Sequence, residues 1–308
     1  SKLILYIQKD NSSDFEKVAE TDEVIQQESY AWDLSSVTSI LYSKLSTRNS
    51  ANIRIVCTTT ISENDQTITY TANDIKGKIN VSDSNPTFTT FTYGDENTTT
   101  QNVLGDKTYM PQGMGNMVVR ISTANKAVAK NGASIIKYVL NVSGASSLSM
   151  EKSYSSSAEV SFTLGSFGNV GEHNISIYAV DSRGNVSGTV SSTFKVLQYI
   201  YPQFNLLSFG RLYDYEAETV LDFVGTYSRL VIGTEDKNTD VVFKYRYCKS
   251  SESYPSTYTT INGVSTSNST NTLKKLTFSQ NTDDNTFGIT GVGSSQKLLL
   301  DNNDSFKF

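Results

Sequence analysis

A chain of 308 residues is long enough for two or three domains, each with its own core. Hydrophobic residues at 37%, charged residues at 19% and only 4 prolines, alongside abundant Ser, Thr, Asn, Tyr and Gly, suit half-solvated antiparallel strands joined by polar turns. A net charge of −5 without a Lys/Arg cluster along the chain argues against a nucleic-acid-binding protein, and no apolar run approaches the length of a membrane span.

Period-2 alternation with frequent turn signals predicts strands over Lys2–Gln8, Asn52–Thr58, Thr67–Tyr70, Lys78–Val81, Asn116–Ile121 and Ile135–Val142. It predicts more over Glu159–Leu164, Asn174–Val180, Val190–Val196, Tyr227–Ile232, Val241–Cys248 and Lys274–Ser279. The best helical stretch, "STANKAVAKNGASI", ends in Asn131-Gly132 and allows a turn or two. The stretch "YAVDSRGNVSG" (178–188) reads as a hairpin: Asp181 accepts backbone N–H groups, Gly184 or Asn185 takes the positive φ, and Arg183 stays free at the tip. Cys57 and Cys248, each inside a strand-like run, read as buried free thiols.

An internal repeat sets the domain plan. "NPTFTTFTYGDENTTTQNVLG" from Asn85 and "YPQFNLLSFGRLYDYEAETVLDFVG" from Tyr201 both carry X-Pro-X-Phe, an acidic turn and a Gly after an apolar residue, Leu104-Gly105 and Val224-Gly225. Pro86 and Pro202 stand 116 residues apart, the size of one immunoglobulin-like sandwich. Each proline holds its predecessor extended and marks a stiff junction. The expected fold class is all-β: tandem immunoglobulin-like or fibronectin-III-like β-sandwiches. Residues 1–84 are the C-terminal part of a preceding sandwich, 85–200 a whole one, and 201–308 a second related one that is incomplete. The chain accordingly reads as a fragment, with no initiator Met and an end at Phe308 inside a strand-like run.

Trp32-Asp33-Leu34, Ala124–Ser134 ("ANKAVAKNGAS") and the "A-x-D-S-R-G" hairpin at Ala179–Gly184, in that order, resemble the minor structural, tail-associated proteins of siphoviruses that infect Gram-positive bacteria. The resemblance implies serial immunoglobulin-like domains, a place in the virion tail or tail fibre, and a part in host adsorption. It implies no catalytic residue. Chains of that family extend into a terminal tip region, which this sequence lacks.

The residues themselves nominate little chemistry. His173 is the sole histidine, precedes a strand, and has no G-x-S-x-G serine beside it; a strand-end or surface place is expected. One His and two distant Cys make a poor zinc set. Acids such as Asp95-Glu96 fall singly in turns, so no glycosidase pair emerges. "NTDDN" and "DNNDS" are dense in oxygen ligands; turn chemistry is the main reading, and calcium at Asp283, Asp284, Asp301 and Asp304 the alternative. The tyrosines of the third unit, Tyr213, Tyr215, Tyr227, Tyr245, Tyr247, Tyr254 and Tyr258, read first as core and cross-strand residues. The other reading is a sugar-stacking face, with Tyr213, Tyr215, Tyr245 and Tyr247 as its glycan contacts.

The expected molecule is a non-enzymatic virion protein, extracellular when free and present in multiple copies or as a homo-oligomer. It acts as a modular spacer whose partners are other tail or baseplate proteins and host cell-wall polysaccharide, with no nucleic acid and no membrane insertion. The alternative is a bacterial surface adhesin or carbohydrate-binding module built from the same sandwiches.

Overall fold

The computed structural model describes residues 1–22, 24, 29–63, 66–211, 219–239, 243–245, 248–249, 256–257, 259–261, 265–268, 273–280, 286–291, 294–299 and 306–307. The chain is predominantly β, with several sheets and two short α-helices among those residues. It divides into two compact units: Ser1–Tyr93, Val119–Thr163 and His173–Thr193 form the first, and Gly94–Val118, Leu164–Glu172 and Phe194–Phe308 the second.

The first unit opens with a five-stranded sheet of β1 (Lys2–Gln8), β2 (Phe15–Glu20), β3 (Ser50–Glu63), β4 (Gln66–Thr71) and β5 (Ile75–Asn80), in the order β2-β1-β3-β4 with β5 also on β3. β3 is 14 residues long, so it pairs with β5 along Ser50–Ile55 and with β4 along Thr58–Glu63. Alternation sends Leu5 and Ile7 inward. Helix α1 (Thr38–Lys44) closes that face: Ile7, Leu45, Ala51 and Val81 form a buried cluster, joined by Leu41 and Tyr42. An isolated seven-residue helix is marginal in water, so this packing is what makes α1 helical despite its β-branched residues.

The rest of the first unit draws on β8 (Met117–Ile121), β9 (Ile135–Gly144), β10 (Leu148–Ser153), β11 (Val160–Gly165), β12 (Gly171–Asp181) and β13 (Val190–Leu197), of which the ends Met117–Val118, Leu164–Gly165, Gly171–Glu172 and Phe194–Leu197 fall in the second unit. The strand order runs β10-β9-β12-β13 in one sheet, and β11 pairs with β8 in another. β9 and β12 face each other in register, with Tyr138 opposite Ala179, Leu140 opposite Ile177 and Val142 opposite Ile175; all six are buried. This is the inward half of a period-2 pattern, and it places the core where the alternation of "IIKYVLNV" and "HNISIYAV" puts it. Tyr138 also stacks on Phe88, centroids 5.4 Å apart, and its hydroxyl accepts the Ala127 N–H at 2.9 Å.

The second unit contains the end of β6 (Thr92–Asp95), helix α2 (Thr98–Leu104) and β7 (Tyr109–Pro111), which runs parallel to Lys195–Leu197 of β13. Beyond Pro202, β14 (Gln203–Arg211) and β15 (Thr219–Ser228) form an antiparallel pair, and β15 also pairs with Leu273–Gln280. Leu104, Leu197 and Leu230 make a buried cluster, with Tyr109, Tyr199 and Ile232 against it.

Most expected strands are present, several a residue or two longer than their alternation suggested. The run Tyr227–Ile232 breaks at Arg229-Leu230, where Asp236 accepts the Leu230 N–H and pairs with the Arg229 guanidinium. Val241–Cys248 is described only at Phe243–Tyr245 and Cys248–Lys249, both of which are strand. The "STANKAVAKNGASI" stretch contributes one 3-10 turn, Thr123–Asn125.

Burial raises the Tyr138 hydroxyl pKa above its ordinary value of 10.0. A folded state that holds this proton more tightly than the unfolded chain gains stability that is complete below the unfolded pKa and is lost as pH rises through the folded value. Tyr138→Phe should therefore blunt the alkaline loss of stability while costing about 1–3 kcal/mol at neutral pH, because the Ala127 N–H is left unpaired. Denaturant unfolding of both proteins across the alkaline range checks the sign.

Candidate functional site

The densest polar construction in the first unit is built on the β12–β13 hairpin. Asp181 is fully buried, and its Oδ1 accepts the backbone N–H of Arg183 at 2.9 Å and of Asn185 at 2.8 Å. Gly184 takes a φ of 82°, which a side chain would strain. This turn chemistry follows the sequence reading.

The place of Arg183 does not. Rather than lying free at the tip, it is 9% exposed, and it donates through Nε to the Leu45 carbonyl at 2.6 Å, through Nη1 to Lys130 O at 2.9 Å and through Nη2 to Asn131 O. Leu45 is the C-cap of α1, whose last carbonyls lack partners within the helix and carry partial negative charge. A guanidinium is suited to such a position, because its planar fork presents several donors at once and it sheds water more readily than an ammonium.

The neighbours of Arg183 extend the contact. Ser182 Oγ donates to Ser46 O at 2.5 Å, Asn49 and Asn185 exchange amide hydrogen bonds of 2.9 Å in both directions, and Lys130 pairs with Asp83 at 2.8 Å. Gly132, at φ +82°, brings its backbone so near α1 that a Cβ there would meet Tyr42 O at 2.7 Å. The "NG" at 131–132, which sequence reasoning took as a helix stop, is a point of backbone-to-backbone approach. Together these residues clamp the α1 end of the N-terminal sheet to the β12–β13 hairpin. No spacing pattern announces the clamp, because its parts come from residues 45–49, 82–84, 130–134 and 181–185.

In the second unit Asp95, also fully buried, holds the turn into α2. Its carboxylate accepts the backbone N–H of Asn97 at 3.0 Å and of Asn116 at 2.6 Å, the Gln101 amide at 3.0 Å and the Thr100 hydroxyl. Asn97 caps α2 through Oδ1, and Gly105 ends it at φ 67°. The Asn cap and the Leu104-Gly105 stop are ordinary helix signals that a repeat-based reading of "GDENTTTQNVLG" passes over. The carboxylate is spent on its own turn and on the backbone of Asn116.

His173 is not at the surface. It is fully buried at the start of β12, where it continues the inward row of Ile175, Ile177 and Ala179, and its Nε2 lies 3.0 Å from Ser146 Oγ. A serine beside a histidine is the start of a nucleophilic arrangement, yet this ring lies inside the protein, so the contact ties the β9–β10 turn to β12. Cys57 is a free thiol and only half-buried.

An open cleft of about 500 Å³ is lined by Lys126, Val128, Ile135, Tyr154 and small residues. Lys126, its one cation, sits 5.5 Å over the Tyr154 ring and donates to Ser155 O. Among the described residues no group of three or more His, Cys, Asp or Glu is gathered as a metal site would need. The calcium candidates Asp283, Asp284, Asp301 and Asp304 lie outside the described residues, as do Tyr213, Tyr215, Tyr247, Tyr254 and Tyr258. Tyr245 lies in the strand Phe243–Tyr245, opposite Thr259. Tyr227 is 1% exposed and belongs to a core.

Compared with known families, residues 26–291 match the model of a siphovirus protein family of unknown function, DUF859. The chain belongs to that family. No curated protein matches it. No helix among the described residues is long and apolar enough to cross a membrane.

The clamp sets a clear expectation for variants. Arg183→Lys, which keeps the charge but not the fork, and Gly132→Ala, which puts a Cβ against Tyr42, should each destabilise the chain by about 2–4 kcal/mol. Urea unfolding of the two variants measures this, and Gly188→Ala, where a Cβ meets open space, is the control.

Proposed function

We propose that the protein is a non-enzymatic structural component of the siphovirus virion, tail-associated and acting as a stiff modular spacer in host adsorption. On this reading its sheets are tandem immunoglobulin-like sandwiches, divided near 84 and 200, and its partners are other tail or baseplate proteins and host cell-wall polysaccharide.

Family membership supports the phage origin. The observation that carries the mechanical part of the reading is the Arg183 clamp. A spacer transmits position only if its joints resist bending, and hydrogen bonds from a buried guanidinium to three carbonyls resist more than a flexible linker does. The joint near 200 has comparable support: Leu104, Leu197 and Leu230 bury one another, and Ser228 Oγ accepts the Ile200 N–H at 2.7 Å. Functional polar groups such as Asp95, Asp181 and His173 are consumed internally, which suits a load-bearing role better than chemistry.

Mass spectrometry of purified particles tests the assignment. Peptides of this chain should co-purify with intact virions, and antibody against it should label the tail. Particles that lack these peptides contradict the reading.

A further inference from the structure

The N-terminal sheet has two unlike faces. One carries Leu5, Ile7 and Ala51 and is closed by α1. The other has no buried residue and gathers cations from four strands. In one row across that sheet, Lys17 stands opposite Tyr6, Tyr6 opposite Arg54 and Arg54 opposite Lys76. In the neighbouring position of the same face Lys78 stands opposite Asn52, while Lys2, opposite Thr58, is two same-face positions away from Arg54.

Lys17 is neutralised by Glu20 at 2.6 Å. Arg54, Lys76 and Lys78 have no carboxylate partner among the described residues, whereas Lys2, like Lys17, acts on Glu20, whose carboxyl the two lysines help to hold below its ordinary range. Arg54 and Lys76 are directly opposed like charges, an arrangement that destabilises a sheet unless something offsets it. In a chain of net charge −5, three unneutralised cations, Arg54, Lys76 and Lys78, on one open face are a local reversal of sign.

Arg54 is also held in place. Its guanidinium carbon lies 4.8 Å from the Tyr6 ring centroid and 4.9 Å from that of Phe15, and its buried Nε has no hydrogen-bond partner among the described residues. The rings fix the plane of the fork without using its donors, which leaves it set for an anionic group arriving from solvent.

We propose that this face binds an acidic polysaccharide, with Arg54 as the oriented anchor and Lys76 and Lys78 as flanking contacts. The face is open, with Arg54 and Lys76 about 5 Å apart across the strands and Lys76 and Lys78 about 7 Å apart along one, a spacing that suits successive anionic substituents on an extended glycan. Nucleic acid fits less well. Three cations are few for a polymer whose binding depends on many phosphate contacts, and the rings of Tyr6 and Phe15 are already covered by Arg54, so they offer no platform for stacked bases. The inference rests on the adsorption reading for its biology, and weak single sites of this kind gain strength from many copies on one particle.

The test uses the purified full chain and immobilised dextran phosphate, with neutral dextran and a short single-stranded DNA as comparison surfaces. Retention on dextran phosphate that falls with added salt, and that weakens about tenfold in a Lys76→Glu/Lys78→Glu variant, supports the proposal. Both lysines are exposed, so the double variant folds; Arg54→Gln then tests the anchor. Equal retention of wild type and double variant overturns it, as does equal binding to neutral dextran, no binding to dextran phosphate, or tighter binding to the DNA. Those failures would leave the virion assignment standing, whereas absence from particles would remove that assignment without touching this result.

Discussion

Arg183 is the constraint on which the first unit depends. A guanidinium that is 9% exposed must have its donors met, because an unmet charged donor costs several kcal/mol. The carbonyls that meet them come from the end of α1 and from the Lys130-Asn131 turn, so the residue can be satisfied only when the N-terminal sheet and the β12–β13 hairpin are together. The bond to Leu45 O also secures the C-terminal end of α1, whose backbone partner there, Arg48 N, stands at 3.4 Å. Asp181 supports the arrangement from behind by fixing the turn that aims Arg183, and Gly132 permits the close approach.

Charge is used in two opposite ways along the chain. Asp95, Asp181 and Arg183 are buried; the two carboxylates fix turns, and the guanidinium is consumed by backbone carbonyls far away in sequence. The cations of the N-terminal sheet are left on an open face, with one of them stiffened between two rings. The first pattern fixes turns and contacts within each unit.

Local pattern revealed most of the strands, because period-2 alternation is a property of neighbouring residues, and "HNISIYAV" or "IIKYVLNV" shows its buried face directly. The turn at Asp181–Gly184 was legible for the same reason. What escaped depends on residues far apart in sequence. α1 lacks a capping side chain and is helical because Leu41, Tyr42 and Leu45 have a sheet to cover. His173 looked like a strand-end residue until β12 extended back to Gly171 and put it in the inward row. The cationic face is invisible along the chain because Arg54, Lys76 and Lys78 meet only through strand register; net charge and the lack of a basic run conceal it. α2 is a different case, since Asn97 and Gly105 announced both of its ends.

The claim that the N-terminal sheet and the β12–β13 hairpin form one body is tested most directly by native-state hydrogen exchange. If the clamp holds, slowly exchanging amides of β1 and β3 and those of β9 and β12 open with the same free energy in the wild-type chain, and Arg183→Ala lowers the first set below the second. Amides of β1 and β3 that already open at much lower free energy than those of β9 and β12 in the wild-type chain would contradict it.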